Sequence, residues 1–363
     1  MNTRTPKATP EILIRPEIRA LSAYRVPHAQ GLIKLDAMEN PYTWPPDLVE
    51  AWLARLREVH LNRYPDPQAT SLKKRLREAM AIPPDAGLIL GNGSDELIQL
   101  VILAVAAPGR VVLAPEPSFA MYRMIAAFAG MDYVGVPLRA ADFGLDLDAM
   151  LAAIECHRPA VVFIAYPNNP TGNRFAEPDI RQVIVSAPGL VVIDEAYFAF
   201  ASHSFLDSLA DDDNLLIMRT VSKMGLAGLR LGLLMGAAPW LVEFEKLRLP
   251  YNINVLSQVS AEFALAHRRV LDEQTWRICQ DRAALFAGLN ALPGITVFPS
   301  EANFILFRTP PGEAGRLFAA LLKAGILIKD LSRAGGLLSD CLRVTVGTPE
   351  ENQAFLVALA DIL

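Results

Sequence analysis

From residue 88 to residue 236 the chain repeats one pattern. A short run of β-branched and aliphatic residues leads into a polar or glycine-rich turn, and a helical stretch usually follows. The runs are 88–90, 111–114, 132–136, 160–165, 190–193, 215–219 and 231–236, with helical patterns at 97–106, 119–129 and 147–155 between some of them. Parallel strands need a crossover, and a helix is its usual form. The alternation therefore predicts an α/β domain built on a mostly parallel, seven-stranded sheet. The flanks read differently. Residues 1–30 are polar and punctuated by proline, with a short helix at 16–21, and are expected to form an arm that packs on something else. Residues 34–46 read as a loop, 47–59 as an amphipathic helix, 63–67 as an extended turn and 71–80 as a charged helix. After helices at 241–249 and 258–267, a long helix over 272–292 connects to strands at 296–298, 303–308 and 342–346 and helices at 314–323 and 350–363. The predicted organisation is an arm (1–30), a large domain (31–264) and a smaller α+β domain (265–363).

Composition narrows what such a chain does. Of 363 residues, 52% are hydrophobic and 20% charged, as in a globular enzyme-sized chain. The net charge of −5 and the lack of a basic run speak against nucleic acid as a partner. The three cysteines (Cys156, Cys279, Cys341) are far apart and form no CxxC, which argues against a disulfide framework or zinc site and for a reducing cytoplasm. The five histidines are scattered, without the spacing of a helical metal site. Residues 1–10 lack the apolar core of a signal peptide, and the longest apolar helix, 97–107, is too short to cross a bilayer. No membrane association is expected.

In open α/β sheets, functional groups gather beyond the carboxyl ends of the strands. Four of the predicted strands end on polar residues: Gly91-Asn92-Gly93-Ser94-Asp95-Glu96, Tyr166-Pro167-Asn168-Asn169-Pro170-Thr171-Gly172, Asp194-Glu195-Ala196-Tyr197 and Ser222-Lys223. Each also has a purely structural reading: a good turn, a helix cap, an N-cap. Lys223 stands out among the eight lysines, being the only one between Lys74 and Lys246, and it lies between an apolar run and a small, glycine-rich segment. Burying an ammonium is costly and lowers its pKa, which frees the amine for Schiff-base chemistry.

Those four segments, together with Gly228-Leu229-Arg230-Leu231-Gly232, resemble the fold-type I pyridoxal-phosphate (PLP) aminotransferases, and within them the histidinol-phosphate aminotransferases. Leu21-Ser22-Ala23-Tyr24, Asp36-Ala37-Met38-Glu39-Asn40-Pro41, Arg63-Tyr64-Pro65 and Leu342-Arg343-Val344-Thr345-Val346-Gly347-Thr348 extend the similarity from about residue 15 to the end. The resemblance implies pyridoxal 5'-phosphate as cofactor and Lys223, Asp194 and Tyr197 as catalytic residues. Lys223 would form the Schiff base and shuttle the proton, and Asp194 would pair with the pyridine N–H. Asn169 and Tyr197 would bond the phenolic oxygen, and Phe119, where the family usually has tyrosine, would stack on the ring. The phosphate would be held by Ser94 and Asp95 N–H groups, Ser222, Arg230 and, from a partner subunit, Tyr64. Tyr24, Asn40, Lys329 and Arg343 would bind substrate. A homodimer with shared sites follows from the role of Tyr64.

The implied reaction is amino transfer from L-histidinol phosphate to 2-oxoglutarate in histidine biosynthesis. An aromatic amino-acid aminotransferase or a phosphothreonine decarboxylase on the same scaffold is the alternative. A PLP-binding regulator would need room for a DNA-binding domain, and an inactive scaffold would be expected to have lost Lys223 or Asp194. One departure from the family stands in the segment Ser222 to Arg230. It is one residue shorter than the usual Ser-Lys-Ala-Phe-Gly-Leu-Ala-Gly-Leu-Arg, so a different loop path is expected there.

Overall fold

The computed structural model describes residues 8–23 and 27–363. Its strands in chain order are β1 (Ile33–Lys34), β2 (Gly87–Gly91), β3 (Val111–Glu116), β4 (Asp132–Pro137), β5 (Val161–Ala165), β6 (Leu190–Asp194), β7 (Leu215–Thr220), β8 (Gly232–Gly236), β9 (Thr296–Val297), β10 (Phe304–Arg308), β11 (Ile326–Leu327), β12 (Lys329–Asp330) and β13 (Cys341–Thr345). Seven of them form one sheet in the order β2-β8-β7-β6-β5-β3-β4. The β3–β4, β3–β5, β5–β6 and β6–β7 ladders are parallel, while β8 runs antiparallel to both its neighbours. This is the mostly parallel, seven-stranded α/β fold that the alternating pattern predicts.

The central strands are apolar at nearly every position because both faces of the sheet are covered. Val162 and Ile164 of β5, Val191 and Ile193 of β6, and Leu215 and Ile217 of β7 enter one core. Their alternates Val161 and Phe163, Leu190 and Val192, and Leu216 and Met218 enter the other. Period-two alternation thus feeds two apolar layers, and truncating a single fully buried residue such as Ile193 to alanine costs roughly 2–5 kcal/mol. A third core lies around the antiparallel sheet β12-β13-β10-β9 and includes Ile278, Phe304, Phe307 and Phe355. Here the last helix, Pro349–Ile362, starts with a capping box in which Thr348 and Glu351 bond each other's backbone N–H.

Some features carry no clear mark in the sequence. A helix at Glu177–Ser186 connects β5 to β6. The stretch expected to be a loop from residue 34 opens with β1, which pairs in parallel with β11. Leu35 continues that contact through Leu327 O and Thr345 N–H and joins the third core. Two-residue strands carry too little pattern to be recognised without their partners. The consequence for the site is large: residues 33–40 form a strap between the two sheets.

Candidate active site

Because β8 is reversed, the carboxyl ends of β2, β5, β6 and β7 and the start of β8 all meet at one edge of the large sheet. The register Gly91↔Gly232↔Thr220 fixes this. A cavity with about 560 Å³ of empty space, partly open to solvent, lies beyond that edge. Ser94 and Asp95 line it from the turn after β2, Asn169 from the turn after β5, Asp194 and Tyr197 from the end of β6, and Ser222, Lys223 and Arg230 from the loop after β7. Phe119 closes one wall. Nine residues singled out in the sequence are therefore brought together.

The Lys223 ammonium sits deep in this cavity, 3.4 Å from the Ala37 carbonyl and 5.9 Å from the centre of the Tyr197 ring. Burial, with the Arg343 guanidinium as the next cause, pulls its pKa down to about 8. Asp194 is buried, and loss of water pushes its carboxyl up to about 6. Two donors oppose that rise: Tyr122 Oη at 2.7 Å and Ala196 N–H at 3.0 Å. Burial likewise raises the Tyr197 phenol.

Helix Ser94–Val105 points its N-terminus at the cavity. First-turn N–H groups have no partner inside their own helix, and their dipole favours an anion. Arg230 Nη2 lies 3.4 Å from Asp95 Oδ2 there. Gly93 lets it approach: with φ of +87°, a Cβ at this position would stand 2.6 Å from Arg230 Nη2. Gly232 is equally constrained, since a Cβ would meet the Gly93 and Ser94 backbone at 2.7–2.8 Å. The shortened loop from Ser222 is made of two 3-10 turns, Ser222–Met224 and Ala227–Leu229. Left-handed residues Gly225 (φ 109°) and Arg230 (φ 51°) follow them. This is how the guanidinium still reaches the helix N-terminus with one residue fewer.

Of the other residues expected at the site, those among the described residues do not line this cavity. Arg343 is buried on β13; its Nη1 donates to Asn169 Oδ1, and its Nη2 to the Asp36 carbonyl at 3.1 Å. Lys329 is directly opposite Arg343 in the β12–β13 ladder, so the two cations share one face of that sheet. Asn40 does not line the cavity. Its amide is engaged by Met224 O, Gln274 Oε1 and Tyr42 N–H, where it braces the loop that follows Lys223. Tyr64 is 80% exposed and stacks on Tyr251 with ring centres 4.4 Å apart. Tyr24 lies outside the described residues. Sequence reasoning missed Met38 and Thr220, which line the cavity, and Tyr122. Tyr122 carried a signal: it follows Phe119 by three residues in the same helical pattern, and so shares its face.

An amine, a carboxylate, an aromatic wall and a helix N-terminus with a hydroxyl and a guanidinium fit a phosphorylated pyridine aldehyde. The buried Asp95 Oδ1 at the cavity is without a hydrogen-bond partner among the described residues, which marks a polar space to be filled. A family model described as aminotransferase class I and II matches residues 30–359. Histidinol-phosphate aminotransferase 2 of Nitrosococcus oceani is 64% identical over 346 residues, covering 95% of this chain and 96% of the relative. Histidinol-phosphate aminotransferase of Chromobacterium violaceum is 54% identical over 353 residues, covering 97% and 98%. Among solved structures, histidinol-phosphate aminotransferase from Sinorhizobium meliloti, in complex with pyridoxal-5'-phosphate, superposes with a TM-score of 0.85 at 25% identity, covering 96% of each chain. The chain is an aminotransferase and belongs to the class I and II aminotransferase family.

Proposed function

We propose that this aminotransferase uses pyridoxal 5'-phosphate to move the amino group of L-histidinol phosphate to 2-oxoglutarate, giving imidazole-acetol phosphate and L-glutamate in histidine biosynthesis. The observation that carries the substrate assignment is the Lys329–Arg343 pair. Two cations directly opposite each other in one ladder concentrate positive charge on that face, which suits an anionic group of the substrate. A phosphate monoester needs more positive charge than a carboxylate, and a guanidinium takes either bidentately. The names of the relatives at 54% and 64% identity support the same substrate.

When bound, the cofactor supplies an aldehyde to receive the amino group and a ring that withdraws electrons from the substrate carbon. The chain does the rest. Lys223 Nζ, whose pKa burial lowers to about 8 so that its neutral form is within reach near neutral pH, takes the proton from the α-carbon and returns it. Asp194 holds the ring nitrogen protonated, while Asn169 and Tyr197 bond the phenolic oxygen. Phe119 covers the ring face. The Ser94 and Asp95 N–H groups, the Ser222 hydroxyl and Arg230 hold the phosphate. Tyr64 reaches the same phosphate in a second copy, so the working form is a homodimer; its exposed, stacked ring supports that role. Tyr24 of the arm (1–30) contacts substrate. The large domain (31–264) carries the cofactor and the small domain (265–363) the anion site, with the 33–40 strap shared between them. The three cysteines are free, which suits a cytoplasmic setting.

The test is a panel of amino donors with 2-oxoglutarate: histidinol phosphate, phenylalanine and phosphothreonine. Histidinol phosphate should exceed phenylalanine in kcat/KM by about 100-fold or more, the size of effect expected from a charged contact. Preference for phenylalanine, or release of carbon dioxide from phosphothreonine, overturns the assignment.

A further inference from the structure

Tyr122 has none of the roles above, yet it is the side chain that bonds the buried acid. It lies on the helix Met121–Ala129 and has no exposed surface. Its ring stacks on Phe163 of β5 with centres 4.7 Å apart and planes 13° apart, and meets Phe119 edge-on at 5.7 Å. Those contacts aim the hydroxyl at Asp194 Oδ2, 2.7 Å away. Oδ1 accepts from Ala196 N–H at 3.0 Å. One oxygen is thus held by the acid's own turn, and the other by a side chain from a different element. A buried phenol needs a partner, and a buried carboxylate needs donors to stay charged.

The other ionisable groups around Asp194 are Asp95 in the first turn of helix Ser94–Val105, Glu195 next in the chain, Tyr197 in the following turn, and Lys223 with Arg230 across the cavity. Burial and the negative charges of Asp95 and Glu195 favour the protonated acid, while the Tyr122 hydroxyl and the Ala196 N–H oppose it. We propose that Tyr122 is the positioning residue for Asp194, fixing the rotation of the carboxylate and keeping it ionised toward acid pH, where a neutral carboxyl could no longer pair with a protonated ring nitrogen. This rests on the reading that Asp194 is the partner of the cofactor's nitrogen. The same ring also supports Phe119, so one residue ties the acid to the aromatic wall.

The variant Tyr122→Phe keeps both ring contacts and removes only the O–H. The dissociation constant of pyridoxal 5'-phosphate should be measured on the apo-dimer from pH 6 to 8.5 by quenching of tryptophan fluorescence, beside the pH profile of kcat/KM. The titration of Lys223 affects both proteins alike and cancels in the ratio of variant to wild type. Loss of one hydrogen bond to a charged group should move the acid limb up by about one pH unit from near 6, which weakens binding about fivefold at pH 6 but less than about twofold at pH 8.5. The same ratio at both pH values is the mark of lost packing and overturns the proposal. Adding Tyr122→Phe to Asp194→Asn should leave no pH-dependent difference; a difference that persists means the hydroxyl acts on another group. Replacing Tyr122 by 3-fluorotyrosine, a more acidic phenol, should move the acid limb down without disturbing the packing, and an upward move counts against the proposal. If Asp194→Asn alone leaves cofactor affinity unchanged, the reading of Asp194 fails and the proposal with it. If Asp194→Asn weakens binding while Tyr122→Phe does not, only the role of Tyr122 is lost.

Discussion

Arg343 Nη1 donates to Asn169 Oδ1, and this bond joins the centre of the small antiparallel sheet to the carboxyl end of β5 in the large one. The residue assigned to the substrate's anion therefore touches the residue assigned to the cofactor's phenolic oxygen. If the proposed roles hold, an anion at Arg343 would share the guanidinium with Asn169, and substrate binding would be coupled to the tuning of the cofactor. Arg343→Ala should raise KM for both histidinol phosphate and glutamate by about 10–100-fold, the cost of a charged hydrogen bond, while the cofactor stays bound. Lys329→Ala should raise KM more for the phosphate substrate than for glutamate, because a dianion gains more from a second cation. Equal small effects of both variants on both substrates would remove the shared anion site.

Lys223 is the second test. Its ammonium titrates near pH 8 rather than near the usual 10.5, because water is excluded and Arg343 adds positive charge. Capture of the cofactor aldehyde by apo-protein requires the neutral amine, so its rate should rise with pH with a midpoint of about 8. Arg343→Ala removes one of the two largest causes and should shift that midpoint upward. Lys223→Ala should keep the fold and lose the borohydride-reducible link. A midpoint above pH 10 in the wild type would mean an ordinary exposed lysine.

Much of this site is legible in the chain because the strands that carry it are long, apolar and end on unusual residues. Lys223, Asp194, Asn169 and Ser94 each close or follow a run whose period and neighbours mark a sheet edge. The strap is not legible: β1 and β11 are two residues each and make sense only as partners. The motif around Asn40 points to substrate, but its amide bonds are made to Met224, Gln274 and Tyr42, distant in the chain or local in a way no pattern announces. Tyr122 has the pattern of helix core. Its ring is core; only three-dimensional packing places its hydroxyl on Asp194.

Asp194 gives a stability test whose sign runs opposite to its catalytic effect. In the native apo-protein its carboxyl holds a proton up to about pH 6, above the ordinary 3.8, so the folded state binds that proton more tightly than the unfolded chain. Stability should therefore fall as pH rises from about 4 to 6, and the whole cost of the buried charge is present above pH 6. Asp194→Asn removes the charge. The apo variant should melt a few degrees above wild type at pH 7.5, with the gap closing toward pH 4. With cofactor bound the order reverses, because the amide cannot keep the ring nitrogen protonated, and turnover should drop by about 100-fold or more. An apo variant less stable than wild type at pH 7.5 would show that the carboxylate mainly serves its turn.

The last prediction concerns Tyr64. In the single chain its ring is 80% exposed and stacks on Tyr251, although it sits in a motif assigned to phosphate binding. Leu61 and Leu249, exposed by 72% and 71%, lie three and two residues from this aromatic pair in sequence. An apolar, aromatic surface of this kind is commonly covered by another protein surface. If a second copy covers it, Tyr64 of one chain completes the cavity of the other, and each site needs residues from both. Tyr64→Ala chains and Lys223→Ala chains should each form nearly inactive homodimers. Mixed and re-equilibrated, they should yield heterodimers in which one cavity has lost both residues and the other has both intact. Activity should then approach a quarter of the wild-type level in an equal mixture, since half the dimers are mixed and each has one working site. Mixed dimers, verified by mass, with no activity beyond that of the parents would place Tyr64 outside the partner's cavity.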